Sequence, residues 1–171
     1  MKPNLPKKLS SKTPIVLVLV AALLGFLGGA QYQKSITPSI PSQPSLPSQA
    51  TVSRVVDGDT LELSTGQHVR LYGVSAPDQG EPFYQEAKDF TTKLTLNQTI
   101  NLEYEQGYEQ DKFGRLLTYV IVNGQNLNIE LVKQGLAEVK IYQKRRKLIY
   151  QDQLLEAQAQ AKENKLGIWS D

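Results

Sequence analysis

Apolar and polar residues alternate in several short segments after residue 50, which is the pattern of strands that bury one face. Arg70, for example, lies between Val69 and Leu71, so a strand here places its guanidinium on the face opposite the two apolar side chains. Residues 64–67, Ser-Thr-Gly-Gln, separate two of these segments and predict a hairpin turn. The pattern predicts five strands, at 52–56, 61–63, 69–71, 99–104 and 115–122.

Apolar residues recur at three- and four-residue spacing elsewhere in the chain, which predicts helices. Gly135 is placed to end the second of them. The predicted helices are 81–96, 128–134 and 150–163. The inward positions predicted for the last helix are Leu154, Leu155, Ala157 and Ala161. Five strands with about three helices indicate the α+β class and a five-stranded β-barrel similar to the OB-fold.

The N-terminal part of the chain has a different composition. Residues 14–30 are uncharged and mostly aliphatic, and Lys7, Lys8 and Lys12 precede them. A helix of this length spans roughly 26 Å at about 1.5 Å per residue, the short end of what crosses a bilayer. Residues 1–35 are therefore either a cleaved signal peptide or an uncleaved signal anchor. Both alternatives place the rest of the chain outside the cytosol, membrane-anchored or secreted.

A Pro/Ser-rich spacer at 36–50 separates this segment from the domain at 51–171. Four tandem Pro-Ser-x triplets occupy 38–49, and proline at every third residue matches the turn of polyproline II. Twelve such residues extend roughly 37 Å at about 3.1 Å each. We interpret this Pro/Ser-rich spacer as an extended stalk between the N-terminal segment and the domain.

Charge is distributed unevenly along the chain. The net charge is +2, but the first fifty residues contain five lysines and no acid, which leaves 14 basic and 17 acidic residues in the domain. A domain with net charge −3 does not attract nucleic acid along its whole surface, so any binding of phosphate must be local. The chain has no cysteine, which excludes disulfides and thiolate metal sites.

Acidic and basic residues with potential chemistry occur in three short motifs. They are Asp-Gly-Asp-Thr at 57–60, Arg-Leu-Tyr-Gly-Val-Ser-Ala-Pro-Asp at 70–78 and Asp-Lys-Phe-Gly-Arg at 111–115. Carboxylates without cysteine or a histidine cluster suit a hard cation such as Ca²⁺. Two arginines suit bidentate binding of a phosphate. A cation, a carboxylate and paired arginines together fit phosphodiester hydrolysis.

In this order the three motifs resemble those of the thermonucleases, the staphylococcal-nuclease-like domains. The resemblance runs from about residue 51 to 170 and includes Asn-Ile-Glu-Leu-Val-Lys-Gln-Gly-Leu-Ala at 128–137 and Lys-Leu-Gly-Ile-Trp at 165–169. It implies an OB-type barrel and a nuclease that hydrolyses DNA and RNA with Ca²⁺. The implied substrate is single-stranded or locally melted nucleic acid, and the sequence indicates no protein partner.

The resemblance also implies roles for individual residues. Asp59 would bind the metal, and Arg70 and Arg115 would bind the phosphate and stabilise its developing charge. A backbone carbonyl would bind the metal at Ala76. Two positions depart from the family pattern: Ser75 replaces an aspartate metal ligand, and Asp78 replaces the glutamate general base.

The two departures weaken the metal and base end of the site. Calcium affinity depends on the number of charged ligands, and Ser75 has an oxygen but no charge. Asp78 is one methylene shorter than glutamate, so its carboxylate would stand about 1 Å back from the water it activates, which can cost on the order of a hundredfold in rate. The alternative to an active enzyme is therefore a pseudonuclease that binds nucleic acid without cleaving it.

Two further residues are candidates for substrate binding. Lys112 either contacts a neighbouring phosphate or is a solvated turn residue. Tyr142 offers an aromatic ring on which a nucleobase could stack. His68 is the only histidine and is predicted to be an exposed strand residue.

Overall fold

The computed structural model describes residues 45–142 and 146–170 of the 171-residue chain. A compact unit begins at Leu46. The predicted N-terminal helix and most of the predicted spacer lie outside the described residues. Within the described ranges, no helix has both the length and the apolar character needed to cross a membrane.

The described residues form eight strands, three α-helices and one 3₁₀ turn. The strands are β1 (Gln49–Asp57), β2 (Thr60–Leu63), β3 (His68–Leu71), β4 (Val74–Ser75), β5 (Thr99–Glu103), β6 (Leu116–Val122), β7 (Gln125–Asn126) and β8 (Glu138–Val139). The helices are α1 (Tyr84–Thr95), α2 (Leu127–Lys133) and α3 (Gln151–Glu163), and the 3₁₀ turn is Gly167–Trp169.

Five of the strands close into a barrel. Their hydrogen-bonded order is β3-β2-β1-β5-β6, and β3 also pairs with β6, which joins the two ends. The β3–β6 pairing is parallel, with Val69 opposite Leu116, whereas the other barrel pairings are antiparallel. The fold is therefore a five-stranded mixed β-barrel with three helices. This confirms the predicted α+β class, the five barrel strands and the three helices, whereas the two-residue strands β4, β7 and β8 are not predicted by the sequence pattern.

The strand pattern predicts the barrel interior well for β2 and β3 and less well for β1. Val69 and Leu71 are buried and Arg70 lies on the other face, as alternation predicts. In β1 the pairing with β2 contains two register shifts, so Val52 and Val55 are both buried although they are three positions apart, an odd spacing. Such bulges interrupt the two-residue period and increase the local twist of the strand.

The helices cover the barrel with narrower apolar faces than the sequence predicts. Ala87, Thr91 and Thr95 are the buried residues of α1, while Phe90 packs against the core only in part. On α3 the prediction of an inward Leu155 is wrong, because this side chain is 43% exposed. The buried positions of α3 are Leu154, Ala157 and Ala161, which the spacing predicts correctly.

A fully buried asparagine on α2 links the helix to the barrel and to the segment that follows β3. The side-chain oxygen of Asn128 accepts from the Val120 amide at 3.1 Å, and its nitrogen donates to the Tyr72 carbonyl at 2.9 Å. Satisfied polar networks of this kind fix one geometry in a core. Asn128 therefore helps to position the chain at 72–75, which forms part of the site described next.

Candidate functional site

The turn between β1 and β2 contains the Asp-Gly-Asp-Thr motif and is held from two sides. Asp57 accepts a hydrogen bond from the Asp59 amide at 3.1 Å, so its carboxylate shapes the loop. The Thr91 hydroxyl of α1 donates to the Gly58 carbonyl at 2.6 Å. A Cβ on Gly58 would lie 2.7 Å from the Cβ atoms of both Ala76 and Ala87, so only glycine fits at this crossing.

Asp59 is a buried carboxylate whose partners come from distant parts of the chain. Its Oδ2 accepts from the Ala76 amide at 2.8 Å and pairs with Nη2 of Arg70 at the same distance. Its Oδ1 accepts from the Thr60 hydroxyl at 3.1 Å. An ordinary turn aspartate would bind nearby backbone amides, so these contacts identify Asp59 as the centre of a polar cluster.

The charge of Asp59 is only partly compensated by the surrounding protein. Burial raises the pKa of Asp59 from its ordinary value of 3.8 to about 6, although Arg70 and the Ala76 amide act in the opposite direction. A further positive charge beside this carboxylate would lower the pKa again. The site therefore favours an additional cation electrostatically.

Arg70 is held rigidly at the end of β3. Its Nη1 donates to the carbonyls of Leu71 at 2.6 Å and Val74 at 2.8 Å, while Nη2 pairs with Asp59. Three fixed contacts orient the planar guanidinium, and its side chain is one-fifth exposed. An arginine oriented in this way can bind a phosphate without a further loss of side-chain entropy.

Arg115 is oriented by the aspartate at the start of its own motif. Asp111 accepts from the Phe113 and Arg115 amides and pairs with the Arg115 Nε at 2.7 Å. Burial acts to raise the pKa of Asp111, but the hydrogen bonds from Arg115 and Phe113 outweigh burial, and the pKa is lowered. Among the described residues, no hydrogen bond is found from Nη1 or Nη2 of Arg115, and the guanidinium carbon lies 5.6 Å from the centre of the Phe113 ring.

Both arginines line one cleft of about 530 Å³. The sequence prediction that they share a pocket is thus consistent with the geometry. Three other predicted site residues line the same cleft: Ser75, Lys112 and Tyr142. Phe113 also lines it and is 72% exposed. The cleft can accommodate an anion between the arginines and a flat ring beside an aromatic side chain.

Three predicted site residues do not line this cleft: Asp59, Ala76 and Asp78. Asp59 lies behind Arg70, and the Ala76 amide binds it. Asp78 is exposed beyond them, in a tight turn where its amide donates to Glu81 Oε2 at 2.7 Å and its carbonyl accepts from the Glu81 amide. The structure therefore pairs Asp59 with Arg70, while Asp78 is exposed and does not line the cleft.

The donor set around Asp59 fits a hard cation, but weakly. The candidate donors are the Asp59 carboxylate, the Ser75 hydroxyl and the Ala76 backbone carbonyl, and oxygen ligands suit Ca²⁺. No group of three or more histidine, cysteine, aspartate or glutamate side chains converges within the described ranges. Few charged ligands imply a low affinity for Ca²⁺.

Two residues of the site have no role assigned by the sequence analysis. Asp111 belongs to a quoted motif, and its position four residues before Arg115 is the signal for an ion pair. Lys140 lines the cleft, and only its place between the apolar residues Val139 and Ile141 indicates that it faces away from the core.

Comparison with known proteins identifies the family of this site. Residues 68–171 match the family described as Staphylococcal nuclease homologue. The chain is 38% identical over 129 residues to the thermonuclease of Staphylococcus hyicus, covering 70% of this chain and 75% of that protein. It is 36% identical over 127 residues to the thermonuclease of Staphylococcus intermedius, covering 69% and 74%.

A relative from another genus extends further along the chain. Endonuclease YncB of Bacillus subtilis (strain 168) is 34% identical over 148 residues, covering 81% of this chain and 69% of that protein. The matched region includes the motifs that place Arg70 and Arg115 in one cleft. The resemblance predicted from these motifs is confirmed, and the chain belongs to the staphylococcal nuclease family.

Proposed function

We propose that this protein is a nuclease that hydrolyses phosphodiester bonds of DNA and RNA with the assistance of Ca²⁺. The observation that supports this function best is the pair of oriented arginines in one cleft, with the buried carboxylate of Asp59 bonded to one of them. The strand order of the barrel and its closure through β3 and β6 support an OB-type fold. The relatives named thermonuclease and endonuclease support the reaction class.

The arginines account for the stabilisation of the transition state. When a nucleophile adds to phosphorus, negative charge develops on the equatorial oxygens. Arg70 and Arg115 are oriented before the substrate arrives, so they bind that charge more strongly than the charge of the ground state. Asp111 serves this role by fixing the direction of Arg115.

The carboxylate end of the site would hold the metal and supply the base. Asp59, with Ser75 and the backbone of Ala76, would hold Ca²⁺. When bound, Ca²⁺ supplies positive charge that polarises a phosphate oxygen. Asp78 is the candidate general base that positions or deprotonates water, and its exposed turn leaves it room to approach the cleft.

The lining of the cleft supports a single-stranded or locally melted substrate. Phe113 and Tyr142 expose aromatic rings at the cleft, and unpaired bases stack on such rings without strong sequence preference. Lys112 lies beside Phe113, with its ammonium 4.9 Å from the ring centre, and would contact a neighbouring phosphate. Loose sequence preference is therefore expected.

Cleavage assays on the full-length chain test this function. We expect activity with Ca²⁺ and loss of activity with chelator. Arg70→Lys and Arg115→Lys keep the charge but lose the planar fork, so each should reduce kcat/KM by about 10²- to 10³-fold. Lys93→Ala removes an exposed positive charge outside the cleft and is the matched control. Parental rates in both arginine variants at saturating Ca²⁺ would refute the assignment of the site.

A second candidate function is a pseudonuclease that binds nucleic acid without turnover. Ser75 has no charge to offer a metal ion, and Asp78 lies outside the cleft. The proposed metal ligands and general base are therefore weakened, whereas both arginines that would bind phosphate are retained, which favours this alternative. This alternative would be supported if the parent protein bound an oligonucleotide through Arg70 and Arg115 but did not cleave it in Ca²⁺.

The N-terminal segment determines the proposed location. The lysines at 7, 8 and 12, the apolar run at 14–30 and the Pro/Ser-rich spacer support an exported or membrane-tethered domain that faces away from the cytosol. The membrane would be contacted through that N-terminal helix.

A further inference from the structure

One wall of the cleft is an extended segment whose side chains alternate between the core and the cleft. Val139 and Ile141 pack against the core, whereas Lys140 and Tyr142 line the cleft. The segment begins with β8, which pairs with β4 so that Val139 is opposite Val74. The Lys140 amide donates to the Gly73 carbonyl at 2.8 Å, which continues this pairing. Lys140 therefore has a backbone position fixed relative to Arg70, whose Nη1 binds the Val74 carbonyl.

The ammonium of Lys140 has a weak partner in this structure. Its Nζ pairs with Glu138 Oε1 at 2.5 Å, and the two side chains are 52% and 41% exposed. Exposed ion pairs between flexible side chains add little free energy. A phosphate in the cleft can therefore replace Glu138 as the partner of Lys140.

The charges that line the cleft favour a ligand with more than one phosphate. Arg70, Arg115, Lys112 and Lys140 are positive. Asp111 is the one acid among the described residues of the lining, and it is already bound to Arg115. The domain as a whole has an excess of acidic residues, so this cluster is a local concentration of positive charge. Two arginines suffice for one scissile phosphate, which leaves Lys140 without a role in the proposed reaction.

We propose that Lys140 forms a second phosphate site, which binds a phosphate of the nucleic acid next to the one held by Arg70 and Arg115. This inference rests on the proposed function, because it assumes that the arginines hold the scissile phosphate. Lys112 lies on the loop between β5 and β6, whereas Lys140 follows β8. In this proposal the two lysines bind different phosphates of the nucleic acid. Lys140 contributes to substrate affinity and leaves the chemical step unchanged.

Binding of a labelled single-stranded oligonucleotide to the full-length chain in chelator tests this site without interference from cleavage. Each phosphate contact contributes about 0.7 to the slope of log affinity against log salt for single strands. Lys140→Ala should reduce that slope by about 0.7 and weaken binding by about 2- to 5-fold. In Ca²⁺ it should raise KM by a similar factor and leave kcat unchanged. Lys93→Ala is the control for loss of one positive charge, and it should change neither the slope nor KM.

Removal of the competing carboxylate gives an effect in the opposite direction. Glu138→Gln releases Lys140 from its ion pair, so this variant should bind the oligonucleotide more tightly than the parent. The gain should be smaller in the Lys140→Ala background, because part of it acts through the lysine. If the Lys140–Glu138 pair serves only stability, Glu138→Gln should bind the oligonucleotide with no higher affinity than the parent. That result would overturn the proposal.

Terminal phosphates are distinguished from internal ones by the choice of ligand. The same oligonucleotide is compared with and without a phosphate at each end. A loss of affinity in Lys140→Ala for all forms assigns an internal phosphate, and a loss confined to one phosphorylated form assigns that terminus. Equal binding of parent and Lys140→Ala to every form refutes the second site while leaving the proposed function intact. A parent that binds no oligonucleotide in chelator or in Ca²⁺ refutes the proposed function itself.

Discussion

Asp59 is a buried carboxylate whose ionisation opposes folding, because its ion pair with Arg70 offsets the cost of burial only in part. Its pKa of about 6 lies above the ordinary value of 3.8, so the folded state binds the proton more tightly than the unfolded state does. The resulting stabilisation is complete below pH 3.8 and is lost as the pH rises through 6. The difference corresponds to about 3 kcal/mol in the free energy of unfolding.

We therefore predict that Asp59→Asn removes this pH dependence. In chelator, the free energy of unfolding of the parent should fall between about pH 4 and pH 7 through the ionisation of Asp59, and the variant should lack this fall. Ca²⁺ should stabilise the parent at pH 7 and leave the variant unchanged, because only the parent offers the charged ligand. Urea unfolding at several pH values measures both effects, and cleavage by the variant should be lost.

The matched control is Asp57→Asn, which removes a neighbouring carboxylate whose structural role is a hydrogen bond within the loop. Its stability should retain most of the pH dependence that arises from Asp59, because burial is the largest cause of the raised pKa and Asp57 adds a smaller part. Identical pH profiles for the parent and Asp59→Asn would mean that another group causes the loss of stability.

Ser75 and Asp78 allow the metal end and the base end of the site to be tested separately. Ser75→Asp adds a charged oxygen to the proposed Ca²⁺ site at Asp59, so it should lower the Ca²⁺ concentration for half-maximal cleavage. Asp78→Glu extends the base by one methylene and should raise the rate at saturating Ca²⁺. Calcium titrations of cleavage for the parent, both variants and the double variant measure the two effects.

Ser75→Asp also has a structural cost that helps to identify its action. Ser75 is opposite Glu138 in the β4–β8 pairing, and like charges directly opposite each other are destabilising. The variant should therefore be less stable than the parent in chelator and regain stability in Ca²⁺. Four folded but inactive proteins in the titration would refute both the metal and the base assignments.

Sequence motifs predict that the two arginines lie in one pocket better than they predict the contacts around them. The spacing of the motifs identifies Arg70 and Arg115, and the structure brings both to one cleft. The bond between Asp59 and the Ala76 amide joins residues 17 positions apart and has no local sequence signal. Lys140 reaches the cleft only because β8 pairs with β4, a contact that depends on the fold of the whole barrel.

At the scale of elements, periodicity predicts existence and type but not the local register. The hairpin at 64–67 forms as predicted, with the Leu63 amide donating to the Gln67 carbonyl at 2.9 Å. The bulges of β1 were not predictable, because they arise from pairing with β2 rather than from the composition of β1. The sequence pattern predicts that Leu155 is buried, but the buried face of α3 contains only Leu154, Ala157 and Ala161.

The packing of α1 against the Asp-Gly-Asp-Thr turn gives a prediction at this scale. A Cβ at Gly58 would lie 2.7 Å from those of Ala76 and Ala87, far closer than carbon atoms pack. Gly58→Ala should therefore push the turn away from both segments and destabilise the protein by about 1–3 kcal/mol. Because Asp59 and the Ala76 amide move apart in the process, cleavage should fall further than the folded fraction does.

A second substitution distinguishes overpacking from a general effect of alanine in the turn. Ala76→Gly removes one of the two close contacts, so the double variant Gly58→Ala/Ala76→Gly should recover part of the lost stability. Chemical denaturation of the three variants measures the recovery. If the two substitutions add without recovery, the close approach at Ala76 is not the cause of the loss.

For the whole molecule, the sequence places positive charge in two separate regions with different partners. Five lysines in the first fifty residues flank or follow the apolar run. The domain is net acidic, and four of its fourteen basic residues line one cleft. A protein of this design would not adsorb along nucleic acid over its surface. Its binding should instead depend on the few cations of the cleft, so the total salt dependence should be modest for a nucleic-acid enzyme.

The same distribution of charge and hydrophobicity predicts where the domain resides. Lysines before residues 14–30 should stay in the cytosol, which directs residue 31 onward to the other side of the membrane. Protease added to intact cells or spheroplasts should therefore release or degrade the domain while a cytosolic marker protein stays intact. A chain that begins at Gln31 is the control, and its domain should be protected until lysis.

N-terminal sequencing of the exported protein separates the cleaved signal from the anchor. A mature chain that begins near Gln31 indicates a cleaved signal, and an intact N-terminus indicates an anchor. Protection of the full-length domain until lysis would contradict export in either form.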